Sequence, residues 1–159
     1  MLVVRHAVVG PFQENSYLVA CDRTGEAMLV DPGGELDRVL ALARPEDFRI
    51  TRIVCTHGHI DHVSGVAEAK AALRVPFHVH PLDRGWLDAL PAQAEMFGFD
   101  AAEVPAPDGA LEDGQTFALG EEEVRVIHTP GHTRGGCCLF FPRSKALLTG
   151  DTLFAGSVG

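Results

Sequence analysis

The segment from residue 50 to residue 79 constrains the fold most, because strand and helix patterns alternate there around a cluster of histidines. Residues 50–56 have an apolar core and predict a buried strand. Residues 75–79 predict another strand. This order is typical of an α/β layer with parallel pairing. Between the two strands, helical spacing of apolar residues predicts an amphipathic helix of about three turns: Val63, Val66, Ala67, Ala71 and Leu73.

Strand patterns also occupy both ends of the chain. A polar turn predicts that strands 16–21 and 27–30 form a hairpin, and residues 36–43 predict a helix that Pro45 ends. We therefore predict a single α/β domain over residues 1–159, with two facing sheets and helices outside. The other predicted strands are residues 2–9, 115–119, 124–128, 137–141 and 146–148.

Length, composition and charge narrow the class of protein. A chain of 159 residues with 46% apolar and 22% charged residues is ordinary for one globular domain. The net charge is −9 and Lys and Arg are not clustered, so nucleic acid is not expected as a partner. No apolar run approaches the roughly 20 residues that cross a bilayer. The N-terminus is typical of a strand rather than a signal peptide, so we expect a cytoplasmic protein without a membrane partner. These features do not specify an oligomeric state.

Residues 86–109 are less regular and contain several aromatic residues and prolines. The stretch is too long and too aromatic for a simple connector. Two interpretations stay open. It forms a lid or a substrate-lining loop, or it is a surface flap with its own small apolar cluster.

The turn after the strand at residues 50–56 places three imidazoles and a carboxylate within six positions: His57, His59, Asp61 and His62. Imidazole nitrogen and carboxylate oxygen are ligands for a borderline divalent metal such as zinc. His57 and His59 point to the same side of an extended chain. The positive end of the following helix is expected to keep His62 neutral, which is the metal-binding form. This density of ligand types favours a metal site over a loop of backbone-bonded histidines.

Two later turns each carry one further ligand-type residue. His132 lies in a Pro-Gly turn after the strand at residues 124–128, and Asp151 follows the strand at residues 146–148. Strand ends are where open sheets collect their binding residues. We therefore expect both residues to belong to the same site.

The run His57-x-His59-x-Asp61-His62, followed by Pro130-Gly131-His132 and Gly150-Asp151, resembles the metallo-β-lactamase superfamily. Residues 86–98 and 150–154 are similar to small bacterial hydrolases of the glyoxalase II type. The resemblance implies an αβ/βα sandwich with a two-metal site at one edge.

The resemblance also implies a division of the ligands. His57, His59 and His132 would hold the first metal, Asp61 and His62 the second, and Asp151 would bridge the two. The cofactor would be one or two Zn²⁺ per chain, with iron or manganese as alternatives. The family supplies a further C-terminal histidine, and none follows His132 here. We therefore expect the C-terminal part of the domain to be missing.

The implied activity is hydrolysis of a small-molecule thioester such as S-lactoylglutathione by a metal-activated hydroxide that Asp61 orients. One alternative is a persulfide dioxygenase with a single iron bound by His57, His132 and Asp151, which would form a facial triad. The other alternative is a metal-binding fragment without catalytic activity.

The remaining histidines are predicted to be structural. His78 and His80 lie in a strand with no Asp-His pair after them, and His6 lies in the first strand. His128 is separated from His132 by a Pro-Gly pair and is expected in the core or beside a ligand. Asp31 has two open interpretations: it contacts a ligand histidine, or it forms the turn before Pro32. The four cysteines lack metal-site or redox spacing, and we expect buried thiols.

Overall fold

The computed structural model describes residues 1–99 and 103–159, which form two large sheets, a short ribbon and a set of helices. The first sheet contains β1 Leu2–Val9, β2 Glu14–Cys21, β3 Glu26–Val30, β4 Arg49–Val54, β5 Phe77–Val79 and β6 Gly109–Ala110. The second contains β7 Thr116–Leu119, β8 Glu122–His128, β9 Cys137–Phe141 and β10 Ala146–Leu148, and the ribbon pairs β11 Leu153–Phe154 with β12 Ser157–Val158. The α-helices are α1 Leu36–Ala41, α2 Ile60–Val63, α3 Val66–Leu73, α4 Arg84–Asp88 and α5 Leu90–Met96, with 3₁₀ turns at Arg44–Glu46 and Pro81–Asp83.

The first sheet changes from antiparallel to parallel pairing at β3. β1, β2 and β3 pair antiparallel, which confirms the hairpin that the turn between β2 and β3 predicts. β3, β4, β5 and β6 pair parallel, as the strand–helix–strand order predicts. The carboxyl ends of β3, β4 and β5 therefore open at one edge of the sheet, where the segments that follow them meet.

Two apolar cores fill the molecule because successive side chains of a strand point to opposite faces of the sheet. Val19, Met28 and Val54 face the second sheet and pack with Leu139 and Phe141. The alternate residues of the same strands face the helices in a second core: Leu18, Leu29 and Ile53 with helical Val39, Val66 and Leu90. The two facing sheets are thus as predicted. Within the described residues, every helix that contributes to a core packs on the first sheet.

The prediction of one continuous helix after the histidine cluster is wrong. It forms as α2 and α3, with a break at Ser64 and Gly65. The Gly65 amide donates to the Pro32 carbonyl over 2.8 Å. A Cβ on Gly65 would lie 2.5 Å from that carbonyl oxygen, so the backbone packs directly on the 32–34 turn. This close approach ends the first helical turn and redirects the chain.

The segment predicted as irregular from residue 86 is helical in its first part, as α4 and α5. Leu90 and Ala94 are buried in the core, which gives these short helices a packing face. The rings of Phe97 and Phe99 meet Phe12 edge-on, with centroids 5.1 and 5.9 Å apart. The described part of the stretch therefore packs on the core through its helices and contacts Phe12 through its aromatic rings; residues 100–102 lie outside the described part of the chain. No helix within the described residues is long and apolar enough to cross a bilayer.

Candidate metal centre

Three strand ends bring the six predicted ligand residues to one place. His57 and His59 follow β4, and Asp61 and His62 lie in α2. The list is completed by two residues of the second sheet: His132 in the loop after β8 and Asp151 in the turn after β10. The six side chains meet only because the two sheets face each other: residues 57–62 follow a strand of the first sheet, while His132 and Asp151 follow strands of the second.

The ring nitrogens and carboxylate oxygens converge at short distances. His59 Nδ1 lies 3.1 Å from His132 Nε2. Asp151 Oδ2 lies 3.2 Å from both His62 Nε2 and His132 Nε2, and 3.5 Å from His57 Nε2. His62 Nε2 also lies 3.4 Å from Asp61 Oδ2. Every one of the six side chains thus points at least one donor atom into a common space.

Two overlapping donor groups share His57. In one, single atoms of His57, His59 and His132 lie within 4.8 Å of one another, and in the other His57, Asp61 and His62 do so. His57 Nε2 is buried and, among the described residues, has no hydrogen-bond partner. A buried polar atom without a partner is costly unless a ligand satisfies it. Nitrogen and oxygen donors of this kind fit a divalent metal such as zinc.

The surroundings of Asp151 and His59 shift the pKa values of both side chains. Burial opposes ionisation of Asp151, but the nearby imidazoles of His57 and His62, at 3.5 and 3.2 Å, outweigh it and hold the pKa of this carboxyl well below its usual range. Partial burial, aided by repulsion from His57 and His132, lowers the pKa of His59. Asp151 is therefore a carboxylate and His59 a neutral imidazole at neutral pH, which are the forms that bind a metal.

His62 departs from the sequence-based prediction that the helix end keeps it neutral. Burial lowers the pKa of His62, but the charge of Asp31 and hydrogen bonds to Asp151, Asp31 and Asp61 raise it far more strongly. The four-residue helix α2 is too short for its dipole to outweigh three carboxylates. A bound cation among these groups would reverse the preference and favour the neutral ring.

Asp31 contacts His62 and is not merely a turn former. Its Oδ2 atom lies 3.0 Å from His62 Nδ1 and accepts a hydrogen bond of 2.7 Å from Thr56 Oγ1. Its Oδ1 atom accepts the Thr56 amide over 2.7 Å. When Nδ1 of His62 donates to Asp31, the lone pair of Nε2 faces Asp61 and Asp151. Of the two interpretations of Asp31, the structure supports the contact with a ligand histidine.

Sequence reasoning missed Glu14, which is buried beside His62. Glu14 Oε1 lies 3.5 Å from His62 Nδ1 and has no hydrogen-bond partner within the described residues. Burial, followed by the negative charge of Asp31, raises the pKa of Glu14 to about 9. Nothing in the sequence marked it, because it precedes the predicted strand 16–21 and looks like a polar turn residue.

The remaining histidines lie outside the two donor groups. His80 caps the turn Pro81–Asp83 by accepting the Leu82 amide, and its ring stacks on His128 with centroids 4.2 Å apart. His78 lies in β5 and His6 in β1, as predicted. His128 is half-buried at the end of β8, and its Nε2 atom lies 2.8 Å from the Arg134 carbonyl. The cysteines are buried thiols, as predicted.

Two of the cavities that border the site differ in the character of their walls. One of about 450 Å³ is polar and reaches Glu14, Asp61 and Asp151. The other, of about 370 Å³, is apolar and lies beside His59 and Asp61; its aromatic wall consists of Phe12, Trp86 and Phe97. The Trp86 ring meets His59 edge-on at 4.6 Å. Among the described residues that line these cavities, none is Lys or Arg.

The sequence of this chain is similar to those of known proteins. The family model described as the metallo-beta-lactamase superfamily matches residues 9–159. A hydroxyacylglutathione hydrolase of Rhodospirillum rubrum is 38% identical over 90% of this chain and 49% of its own length. The hydroxyacylglutathione hydrolase GloC of Haemophilus influenzae is 31% identical over 95% of this chain and 72% of its own length. The chain therefore spans about half of one relative and nearly three quarters of the other.

A solved structure matches along nearly the whole chain. The crystal structure of TTHA1623 in a di-iron-bound form superposes with a TM-score of 0.86 at 35% identity, over 98% of this chain and 75% of that one. The fold therefore has independent support, and this neighbour is itself a metal-bound protein.

Proposed function

Because the chain belongs to the metallo-β-lactamase superfamily, we propose that it is a metal-dependent hydrolase of the glyoxalase II type that cleaves a thioester. One observation carries the proposal. Two donor groups, each with all its ligand atoms within 4.8 Å, share His57, whose buried Nε2 atom has no hydrogen-bond partner among the described residues. Relatives named hydroxyacylglutathione hydrolase, at 38% and 31% identity, support the thioester class.

The residues divide between two metal positions in this proposal. His57, His59 and His132 hold the first metal, and Asp61 and His62 contribute to the second. Asp151 Oδ2 lies 3.2 Å from atoms of both groups and is placed to serve both. Zinc suits these donors, and iron and manganese are alternatives. When bound, the metal supplies Lewis acidity and a low pKa for a coordinated water.

The side chains position the reacting groups. Asp61 lies at the rim of both cavities, and a carboxylate is ionised at neutral pH. An ionised Asp61 accepts a hydrogen bond from the attacking water and so directs the water's lone pair at the thioester carbonyl. Asp31 holds the ring orientation of His62 through Nδ1. Asp61 is thus the proposed catalytic residue, and Asp31 acts through His62.

The apolar cavity beside His59 and Asp61 suits the apolar part of a small thioester. Phe12, Trp86 and Phe97 line it, so a hydrocarbon surface is buried there on binding. The polar cavity on the other side of Asp61 is lined by carboxylates and suits water and the hydroxyl groups of a hydroxyacyl substrate. The reactive carbonyl would lie between them.

Hydrolysis of S-lactoylglutathione by the Zn²⁺-loaded protein tests the proposal. We expect release of a titratable thiol that depends on the metal and is lost in His59→Ala. The exposed His6 in β1 provides a matched control, and His6→Ala is expected to keep both metal content and turnover. Bound metal without hydrolysis of any thioester would favour the inactive metal-binding alternative. Oxygen uptake by the iron form on glutathione persulfide would favour the dioxygenase.

A further inference from the structure

Asp83 is a fully buried carboxylate that is not among the metal-site residues described above. Its exposed fraction is 0%. Oδ2 accepts hydrogen bonds from the Gly58 amide at 2.9 Å and from Thr133 Oγ1 at 2.7 Å. Oδ1 accepts the Gly135 amide at 2.7 Å. All three donors thus converge on one side chain that is removed from solvent.

The three donors belong to the two segments that supply the three-histidine group. Gly58 lies between His57 and His59, while Thr133 and Gly135 follow His132 in the loop after β8. The first segment follows a strand of the first sheet and the second follows a strand of the second sheet. The hydrogen bonds from these segments to Asp83 join residues that are 25, 50 and 52 positions apart in sequence. One carboxylate therefore joins the two turns whose separation sets the distance between the histidines.

Close packing leaves little freedom around this link. A Cβ on Gly135 would lie 2.7 Å from Asp83 Cγ, and a Cβ on Gly58 would lie 2.9 Å from the Asp83 carbonyl oxygen. The two turns thus approach Asp83 more closely than any residue with a side chain allows. A shift of the carboxylate would move both turns with it.

Asp83 is itself held by the scaffold of the first sheet. It ends the 3₁₀ turn after β5, where its amide donates to the His80 carbonyl over 3.0 Å. Leu87 and Leu90, in the helices that follow, are buried in the core. Because β5 is the parallel neighbour of β4, the turn starts beside the strand that delivers His57.

We propose that Asp83 is a positioning residue that sets the geometry of the three-histidine metal position by joining the turn at Gly58 to the loop after His132. The inference rests on the proposed metal centre. It assigns to Asp83 no contact with metal or substrate. Its effect is transmitted through His57, His59 and His132.

The chemistry of the link requires a carboxylate. Both backbone amides can only donate, and they bond to different oxygens of Asp83. In Asp83→Asn, either orientation of the new amide sets its NH₂ group against one of these backbone N–H groups. The Thr133 hydroxyl can reverse its role, but a backbone amide cannot. The variant therefore loses at least one of the two backbone links while its volume stays unchanged.

Zn²⁺ affinity, measured by competition with a chromophoric chelator, and the visible spectrum of the Co²⁺ form test the inference. Disturbing residues that orient metal ligands typically weakens metal binding by about 10–100-fold. We expect Asp83→Asn to weaken the tighter stepwise constant by that factor and to change the Co²⁺ spectrum. Asp108→Asn is the matched control, because Asp108 accepts the Phe77 amide at 2.8 Å but touches neither turn. The control should keep the affinity and the spectrum of the unmodified protein.

A milder pair of variants keeps the test decisive if Asp83→Asn fails to fold. Thr133→Val removes one link and retains the carboxylate, so a loss smaller than that of Asp83→Asn is expected. Thr133→Ser restores the hydroxyl and should recover the affinity. Folded Asp83→Asn or Thr133→Val protein with unchanged affinity and spectrum would overturn the inference. Absence of Zn²⁺ binding by the unmodified protein would instead contradict the proposed metal centre.

Discussion

His62 Nδ1 lies 3.0 Å from Asp31 Oδ2, so the ring faces a buried carboxylate on one side and the metal-site carboxylates on the other. Asp31 follows β3 and His62 lies in the helix after the β4 turn. This contact couples two neighbouring strand ends. It also determines which ring nitrogen of His62 is available to a metal.

Asp31→Asn is expected to weaken the second metal position selectively. The new amide either opposes the Thr56 N–H or donates to His62 Nδ1, which moves the ring proton to Nε2 and removes the lone pair. We expect about a 10–100-fold loss in the weaker stepwise Zn²⁺ constant, with the tighter one nearly unchanged. Chelator competition measures both constants. Equal losses in both, or none, would show that Asp31 does not act through His62.

The chain has one tryptophan, Trp86, whose ring lies 4.6 Å from that of His59. Co²⁺ is a paramagnetic ion that quenches tryptophan emission over short distances. We therefore expect Co²⁺ addition to quench most of the Trp86 fluorescence with the stoichiometry of the first metal position. His59→Ala should abolish the response at low metal concentration, and His6→Ala should retain it. Full quenching in His59→Ala would place the metal elsewhere.

Phe12→Ala is expected to weaken binding of thioesters with apolar groups. Phe12 is 42% exposed and lines the apolar cavity, so truncation removes part of the burial that a bound substrate completes. A partly buried aromatic contributes about 1 kcal/mol, which corresponds to roughly a fivefold rise in KM with little change in kcat. Steady-state kinetics measure the two separately. Leu147→Ala on β10, an exposed residue that lines neither cavity, is the control and should leave KM unchanged.

Gly150→Ala is expected to disturb the turn that carries Asp151. Gly150 has φ +52°, and a Cβ there would lie 2.4 Å from Thr56 Oγ1. The left-handed conformation alone costs about 1–2 kcal/mol in a residue with a side chain. Gly156→Ala is a matched control, since Gly156 has φ +81° with nothing within 4 Å of its Cβ. Thermal unfolding should show a larger loss for Gly150→Ala, together with weaker Zn²⁺ binding. Equal losses of thermal stability in the two variants would mean that the Thr56 side chain moves aside without disturbing the site.

Local sequence patterns predicted much of the fold and the candidate site. Apolar, strand-type runs bounded by turns placed β1, β9 and β10 at the observed bounds, and helical spacing placed α1 to within two residues of its end. The break between α2 and α3 was missed because it depends on the Pro32 carbonyl meeting Gly65, 33 residues away in sequence. Propensity within a window carries no information about such a contact.

The sequence by itself determined which chemistry the chain carries. His57, His59, Asp61 and His62 lie within six consecutive positions, and their spacing after a buried strand is a local property of the chain. His132 and Asp151 could be found because each follows a predicted strand. The identities of all six ligand-type residues were therefore available without the structure.

Only the tertiary structure decided which residues support that chemistry. Asp31, His57 and Asp83 follow β3, β4 and β5, and only the parallel pairing of these strands brings their side chains to one edge. Glu14 is a neighbour of His62 because β2 runs antiparallel to β3, so the first residue of β2 lies at the same edge as the residues that follow β3. A carboxylate at a strand end has the same local pattern whether it forms a turn or fixes an imidazole. The difference lies in contacts made across 25 to 50 residues of chain, which strand pairing and sheet packing create.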